Sequence, residues 1–106
     1  MKLSMVLCSL ALLFQSSAFA VVESTTIVYQ DGQKTFEGFL VQPDSITKEQ
    51  MPAILMVHNW MGVSEETHYQ AKRIAKLGFI VFGADVYGQG VRPTNAQEAG
   101  VQASIY

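Results

Sequence analysis

One stretch of the chain decides the fold, and it reads AILMVHNWMGVSEETHYQAKRIAKLGFIVFGA from residue 53 to residue 84. It opens with a continuous apolar run at 53–57 and ends just after a second one at 79–82. Neither run alternates apolar with polar residues. Such a run is typical of a strand that is buried on both faces of a parallel sheet. The sequence therefore predicts two parallel strands.

The residues between the two strands carry the signals of a helix. Ser64 can serve as the N-cap, and Glu65 and Glu66 then fall in the first turn, where the positive end of the helix dipole favours acids. Gly78 is a stop signal at the other end. The apolar positions expected on one face are Ala71, Ile74, Ala75 and Leu77. Strand, helix and strand together predict one βαβ unit over residues 53–84.

The residues before this unit predict a β-hairpin. Thr25 to Tyr29 are rich in β-branched side chains, Asp31-Gly32 is a turn signal, and the stretch 35–41 resumes with apolar residues. After the second parallel strand, residues 97–106 have the pattern of another helix. The expected fold class is therefore α/β, with a β-hairpin followed by a βαβ unit of a parallel sheet.

Residues 1–20 have the pattern of a secretory signal peptide. Lys2 forms a short basic region, an apolar stretch covers 5–14, and residues 18–20 read Ala-Phe-Ala, a small-x-small cleavage site. The apolar stretch is shorter than the roughly 20 residues that a transmembrane helix needs. A retained N-terminal anchor is the alternative. We expect an exported protein, periplasmic or secreted, whose mature part begins at Val21.

The composition of the mature part limits its partners. Cys8 is the only cysteine and leaves with the signal, so the mature part has no disulfide although it is exported. Without Lys2, six basic residues stand against nine acidic ones, which changes the net charge from −2 to −3. Because no basic run is present, we expect neither nucleic acid nor stable membrane association after signal cleavage.

The two apolar strands also bear on domain organisation. A hairpin and one βαβ unit cannot cover both faces of their sheet, so the strands predict neighbours that the chain does not contain. We therefore expect residues 21–106 to be the N-terminal part of a larger, incomplete α/β domain.

Two segments resemble the dienelactone hydrolase family. Residues 51–62 read MPAILMVHNWMG, where the family has an apolar strand and then His-Glu-Trp/Ile-x-Gly. Residues 77–90 read LGFIVFGADVYGQG, where the family has Gly-Tyr-x-x-x-x-Pro-Asp-Leu-Tyr-Gly. The similarity covers about residues 25–106. It implies an α/β-hydrolase fold and hydrolysis of a small-molecule ester or lactone through an acyl-enzyme, with a Cys or Ser nucleophile, an Asp and a His.

The nucleophile of such an enzyme is missing from the sequence. The fold places it on a strand-to-helix turn of the type Gly-x-Ser-x-Gly, and no Gly-x-Cys-x-Gly is present. The nearest match is Gly62-Val63-Ser64-Glu65-Glu66, which has Glu where Gly is required and follows the wrong strand. Nucleophile, acid and base are therefore all expected to be absent, and the 106-residue chain alone is predicted to be inactive.

The resemblance leaves the oxyanion side of the site within this chain. It implies that the loop 58–62 carries the backbone N–H of Trp60 as an oxyanion donor. We expect Tyr87 to bind substrate because sites in open α/β sheets lie beyond the carboxyl ends of the strands, and Asn59 to orient the substrate or the nucleophile by hydrogen bonds. An alternative for Trp60 is an aromatic cover over the core, and one for Asn59 is an amide that bonds nearby backbone. Asn59 stands where many family members have Glu, and a neutral amide cannot accept a proton as a carboxylate does.

Four other polar residues have simpler expected roles. His58 comes too early in the chain for the catalytic base, so we expect a structural hydrogen bond from its ring. His68 is expected on the helix surface in contact with water. The resemblance implies that Asp85 organises the loop after its strand. Arg92 is expected to be a solvated loop arginine, with an anionic substrate as the alternative partner.

We predict no metal and no cofactor. The two histidines and the nearby glutamates lack metal-ligand spacing, and Gly88-Gln89-Gly90 is not a dinucleotide fingerprint because Pro93 stands where its third glycine must be. Two other functions remain open from the sequence. The chain could be a non-catalytic remnant or interaction module, or part of another exported α/β-hydrolase esterase.

Overall fold

The computed structural model describes residues 22–44 and 51–106, so the predicted signal peptide lies outside the described residues. The described elements, in chain order, are β1 (Val22–Asp31), β2 (Lys34–Pro43), β3 (Ala53–Val57), α1 (Glu65–Ala75), β4 (Ile80–Ala84) and α2 (Ala96–Ala103). Neither described helix is long and apolar enough to cross a membrane.

The four strands form one mixed sheet in the order β1-β2-β4-β3. β3 and β4 pair in parallel around the α1 crossover, which confirms the predicted βαβ unit. β2 pairs antiparallel with β4 through residues 39–41 of β2 and 81–83 of β4. The hairpin therefore extends the sheet of the βαβ unit, and the α/β fold class is confirmed.

The hairpin turn lies where the sequence predicts it. Asp31 pairs with Lys34, so Gly32 and Gln33 form a two-residue loop. Gly32 has a φ of 58°, a left-handed conformation that glycine adopts without steric cost. The turn therefore sets the register of all ten residues in each strand.

The hydrophobic core lies between the sheet and α1. Its fully buried large side chains are Phe39, Val41 and Val81, and Ala71 and Ala75 of α1 pack against them. The Phe39 ring lies directly over Gly83 of the neighbouring strand, where an added Cβ would come within 2.2 Å of it. The close packing of the Phe39 ring against β4 therefore depends on a glycine at position 83.

The other face of the sheet is exposed at β3. Ile54 pairs with buried Val81, so the alternation of the strand turns Leu55 and Val57 to the opposite face. These two side chains are 68% and 59% exposed. Within the described residues β3 is therefore covered on the α1 face alone, and its other face carries exposed apolar side chains where the sequence predicts neighbours outside this chain.

The ends of α1 follow the predicted signals with one exception. Ser64 is the N-cap and forms a capping box with Thr67, whose hydroxyl stands where Glu or Gln is more usual. Gly78 follows the helix with a φ of 99°. Leu77 was expected on the apolar face but is 77% exposed, because the helix already ends at Ala75.

Candidate active site

Two loops meet at the carboxyl ends of the parallel strands β3 and β4. The loop 58–62 follows β3 and the loop 85–93 follows β4, and these strands are parallel neighbours. Their carboxyl ends therefore point to the same edge, where open α/β sheets bind ligands. The residues predicted for the site, Asn59, Trp60 and Tyr87, all lie in these two loops.

The first loop is a tight turn closed by its own backbone. The Gly62 N–H donates to the Asn59 carbonyl at 3.0 Å, which defines a four-residue β-turn with Trp60 and Met61 at its centre. The Met61 N–H donates to the Asn59 side-chain oxygen at 2.9 Å. Gly62 has a φ of 77°. Two of the three N–H groups that follow Asn59 are therefore already bonded within the turn.

The remaining N–H group belongs to Trp60. Within residues 22–44 and 51–106 it donates to no acceptor, and the residue is 50% exposed. The indole is not part of the buried core, so the alternative of Trp60 as an aromatic cover over the core does not describe this structure. The assignment of the N–H as an oxyanion donor stays a prediction, and this geometry leaves it free to act as one.

The Asp85 carboxylate holds the second loop. Its Oδ1 accepts the N–H groups of Tyr87 and Gly88, each at 3.1 Å, and its Oδ2 accepts the Glu37 N–H at 3.0 Å. The residue is 4% exposed. Three charge-assisted hydrogen bonds to backbone give this buried carboxylate the structural role that the resemblance implies.

Tyr29 of the hairpin fixes the same loop from the other side. Its hydroxyl donates to the Asp85 carbonyl at 2.7 Å and accepts the Asp85 N–H at 2.8 Å. Burial raises the pKa of the Tyr29 hydroxyl above its ordinary value of 10.0. No local pattern in the sequence predicts this contact, because the two residues are 56 positions apart.

Tyr87 joins the two loops. It is 5% exposed, and its hydroxyl donates to the Trp60 carbonyl at 2.9 Å. Its ring lies 5.8 Å from that of Tyr106, centroid to centroid, in a stacked arrangement. The substrate-binding roles of Tyr87 and Asn59 stay predictions. In the described residues the Tyr87 hydroxyl and the Asn59 side-chain oxygen bond the turn itself, as the alternative for Asn59 predicts.

His58 forms the structural hydrogen bond that the sequence predicts. Its side chain is 3% exposed, and its Nε2 accepts the Val86 N–H at 3.1 Å. Because Nε2 accepts, the proton of the neutral ring is on Nδ1, which lies 2.6 Å from the Asn59 carbonyl oxygen. The ring therefore links the backbone of both loops.

Arg92 differs from its expected solvated state. Its side chain is 30% exposed, and the guanidinium donates to the carbonyls of Gly88, Val91 and Glu37 at 3.0–3.2 Å. It also lies 3.6 Å from Asp85 Oδ2. The arginine therefore ties the second loop to the hairpin. The sequence could not show this, since Glu37 is 55 positions away.

The His68 side chain is less exposed than the sequence predicts. Its ring stacks on Phe39 with a centroid distance of 3.9 Å and the residue is partly buried, so the expected contact with water holds only for part of the side chain. Burial is the main cause that lowers the pKa of His68 below 6.5, and Lys72 and Arg92 act in the same direction while Glu65 opposes them.

The stability of the protein should consequently fall in mild acid. The unfolded chain takes up a proton at His68 at a higher pH than the folded chain does, so stability is fully present above about pH 6.5 and falls as the pH drops toward the folded-state pKa. Urea-unfolding midpoints measured from pH 7.5 to pH 5 test this. The His68→Phe variant keeps an aromatic ring on Phe39 and should show a shallower decline, and equal declines in both proteins would contradict the expectation.

The described residues contain no metal centre candidate, since no three His, Cys, Asp or Glu side chains among them are placed to hold an ion. The Ser64 hydroxyl at the start of α1 bonds Thr67 as a helix cap, as the sequence predicts. The polar side chains of the site bond the backbone of the two loops, and the Trp60 N–H is a donor of the loop 58–62 that is left without an acceptor among the described residues.

A family profile and two solved structures are similar to this chain. The sequence profile of the dienelactone hydrolase family matches residues 36–104, well over half of the chain. A solved structure designated m3DLH superposes with a TM-score of 0.70 at 22% identity, over 78% of this chain and 34% of that protein. A dienelactone hydrolase-like promiscuous phosphotriesterase from metagenomic libraries superposes with a TM-score of 0.72 at 20% identity, over 80% of this chain and 35% of its own. None of the curated proteins matches.

The mixed sheet and the α1 crossover define an α/β protein, with two loops that meet at the carboxyl ends of its parallel strands. The chain belongs to the dienelactone hydrolase family, as the profile match shows. It spans about a third of the length of each of the two similar solved structures.

Proposed function

We propose that the protein hydrolyses an ester or lactone carbonyl through an acyl-enzyme, and that the Trp60 N–H stabilises the oxyanion. One observation carries the proposal. In the turn 59–62 the N–H groups of Met61 and Gly62 are bonded within the turn, whereas the Trp60 N–H has no acceptor among the described residues. A preorganised donor of this kind acts where negative charge develops on the carbonyl oxygen.

The reaction would proceed in two steps. A Ser or Cys nucleophile on a turn of the type Gly-x-Ser-x-Gly or Gly-x-Cys-x-Gly, a motif that residues 1–106 lack, would attack the carbonyl carbon while a base takes its proton. The Trp60 N–H would donate to the oxygen that becomes negative, until the carbonyl carbon's bond to the alcohol oxygen breaks and that oxygen takes a proton. The freed alcohol leaves in the case of an ester and stays attached to the acyl group in the case of a lactone. Water would then attack the acyl group and release the acid and the nucleophile.

Asn59 limits how the nucleophile could be activated. Its side-chain amide is neutral, and its oxygen already accepts the Met61 N–H. A carboxylate at this position could accept a thiol proton, but an amide cannot. A nucleophile in this protein would therefore rely on a separate base, and both Cys and Ser remain open.

The proposed place of action rests on the sequence. The predicted signal peptide at 1–20 supports an exported protein, periplasmic or secreted, without stable membrane association after cleavage. A small-molecule ester or lactone is the proposed substrate, and no nucleic acid or cofactor is invoked.

Turnover by the full-length gene product tests the function. It should hydrolyse at least one member of a panel of short-chain aryl esters and lactones, and a serine- or thiol-reactive acylating probe should label it. Residues 21–106 expressed alone should neither hydrolyse nor be labelled. A full-length protein with neither turnover nor labelling would contradict the proposed hydrolysis and support the alternative of a non-catalytic remnant or interaction module.

A further inference from the structure

The peptide group between Asn59 and Trp60 carries both the proposed oxyanion donor and a heavily bonded acceptor. A trans peptide is planar, with its N–H and C=O pointing in opposite directions. Any group that holds the Asn59 carbonyl therefore also sets the direction of the Trp60 N–H. This carbonyl has two partners, the Gly62 N–H at 3.0 Å and the His58 ring at 2.6 Å.

The His58 ring is itself held in one tautomer. The Val86 N–H donates to Nε2 at 3.1 Å, so the proton is on Nδ1 and can be donated to the Asn59 carbonyl. The side chain is 3% exposed, and the Tyr87 ring packs edge-on against it with a centroid distance of 4.6 Å. The imidazole therefore has little freedom to swing away.

Tyr87 acts on a different part of the same turn. Its hydroxyl donates to the Trp60 carbonyl, which belongs to the next peptide group. The orientation of the peptide that carries the Trp60 N–H thus depends on the closing turn bond and on His58, the only side chain among the described residues that bonds it.

We propose that His58 is a positioning residue for the oxyanion donor. The Nδ1 proton holds the Asn59 carbonyl, and the rigid peptide transmits this hold to the Trp60 N–H on its other side. The proposal rests on the proposed function, in which that N–H meets the developing oxyanion. It assigns a role to a histidine that is neither the base nor a metal ligand.

Two substitutions separate the two bonds of the ring. His58→Asn places an amide N–H near the position of Nδ1 and can keep the bond to the Asn59 carbonyl, whereas it loses the acceptor for Val86. His58→Gln reaches the position of Nε2 and can keep the acceptor, whereas it loses the δ donor. We expect kcat of the full-length protein to fall about 10- to 100-fold in H58Q, as misplacement of a catalytic group does.

The contrast between the variants is the test. H58N should retain more of kcat than H58Q, and KM should change little in either, because the donor acts in the transition state. A purely structural role predicts an equal loss of kcat, because each variant loses one buried hydrogen bond. It predicts the opposite order if the bond to Val86 matters more. Equal kcat in the two variants, or a higher kcat in H58Q, would overturn the proposal.

A spectroscopic readout keeps this result separate from the proposed function. In ¹⁵N spectra of the full-length protein, His58 should be protonated on Nδ1 and not on Nε2, and the Trp60 amide resonance should shift more in H58Q than in H58N. A proton on Nε2 or an unmoved Trp60 amide overturns the positioning role whatever the activity. The expected spectra in a protein without turnover would instead reject only the proposed hydrolysis.

Discussion

Replacing Trp60 by proline should lower kcat of the full-length protein about 10²- to 10³-fold, the usual cost of removing one oxyanion donor. Proline has no backbone N–H, so the substitution deletes the one group to which the proposed function assigns the developing charge. KM should change far less than kcat, because the lost interaction belongs to the transition state.

The turn itself should survive this substitution. Trp60 is the second of the four residues in the turn 59–62, a position where proline is favoured in the common turn types. Its own N–H donates to no acceptor in the described chain, so no structural hydrogen bond is lost. The closing bond from Gly62 to the Asn59 carbonyl uses neither atom that proline alters.

Trp60→Ala is the matched control. It removes the half-exposed indole and keeps the backbone N–H, so it should retain kcat within about tenfold of the wild type. Steady-state kinetics on the best ester or lactone substrate measure both variants, and the far-ultraviolet circular dichroism of both should match the wild type. Equal losses in the proline and alanine variants would mean that the indole, not the N–H, contributes to the reaction.

Asp85→Ala should destabilise the protein by about 3–5 kcal/mol, the usual cost of breaking a buried charged pair by removing one partner. The change leaves the N–H groups of Glu37, Tyr87 and Gly88 without their acceptor. It also leaves the partly buried Arg92 guanidinium without the nearest carboxylate, 3.6 Å away. The loop after β4 would lose its main internal support.

Asp85→Asn separates the acceptor from the charge. Its amide oxygen can still accept the N–H groups of Tyr87 and Gly88, while its NH₂ would face the Glu37 N–H, so a loss smaller than that of the alanine variant is expected. Asp44→Ala, at an exposed acid after β2, is the control and should change stability by less than about 0.5 kcal/mol. Urea unfolding measures all three, and an Asp85→Ala loss near that of the control would refute the structural role.

The fold could be predicted from local patterns because each pattern is set by neighbours in sequence. The apolar run 53–57 and the cap at Ser64 predicted β3 and the start of α1 to within a residue or two. Gly32 identified the hairpin turn because few other residues adopt a left-handed φ. The apolar run of β3 predicts two covered faces, and within the described residues only the α1 face is covered, because what packs against a strand is not contained in the pattern of the strand itself.

The site could be predicted only in part. The resemblance pointed to the loop 58–62 and to Asp85, whose role in the loop the contacts confirm. The sequence does not predict that Tyr29 and Arg92 support the site, nor that His68 stacks on Phe39. Each of these side chains has its decisive partner more than 25 positions away in sequence, where no local periodicity reaches.

The sequence by itself determined the α/β class, the βαβ unit, the hairpin turn and the family resemblance, because strand, cap and turn signals act over a few residues. Only the tertiary structure decided that the hairpin joins the sheet beside β4, and that His58 and Tyr87 each bond the backbone of the other's loop. Two loops can form hydrogen bonds with each other only when their strands are neighbours in the sheet. The order of the strands therefore determines the partners, and local sequence patterns do not contain that order.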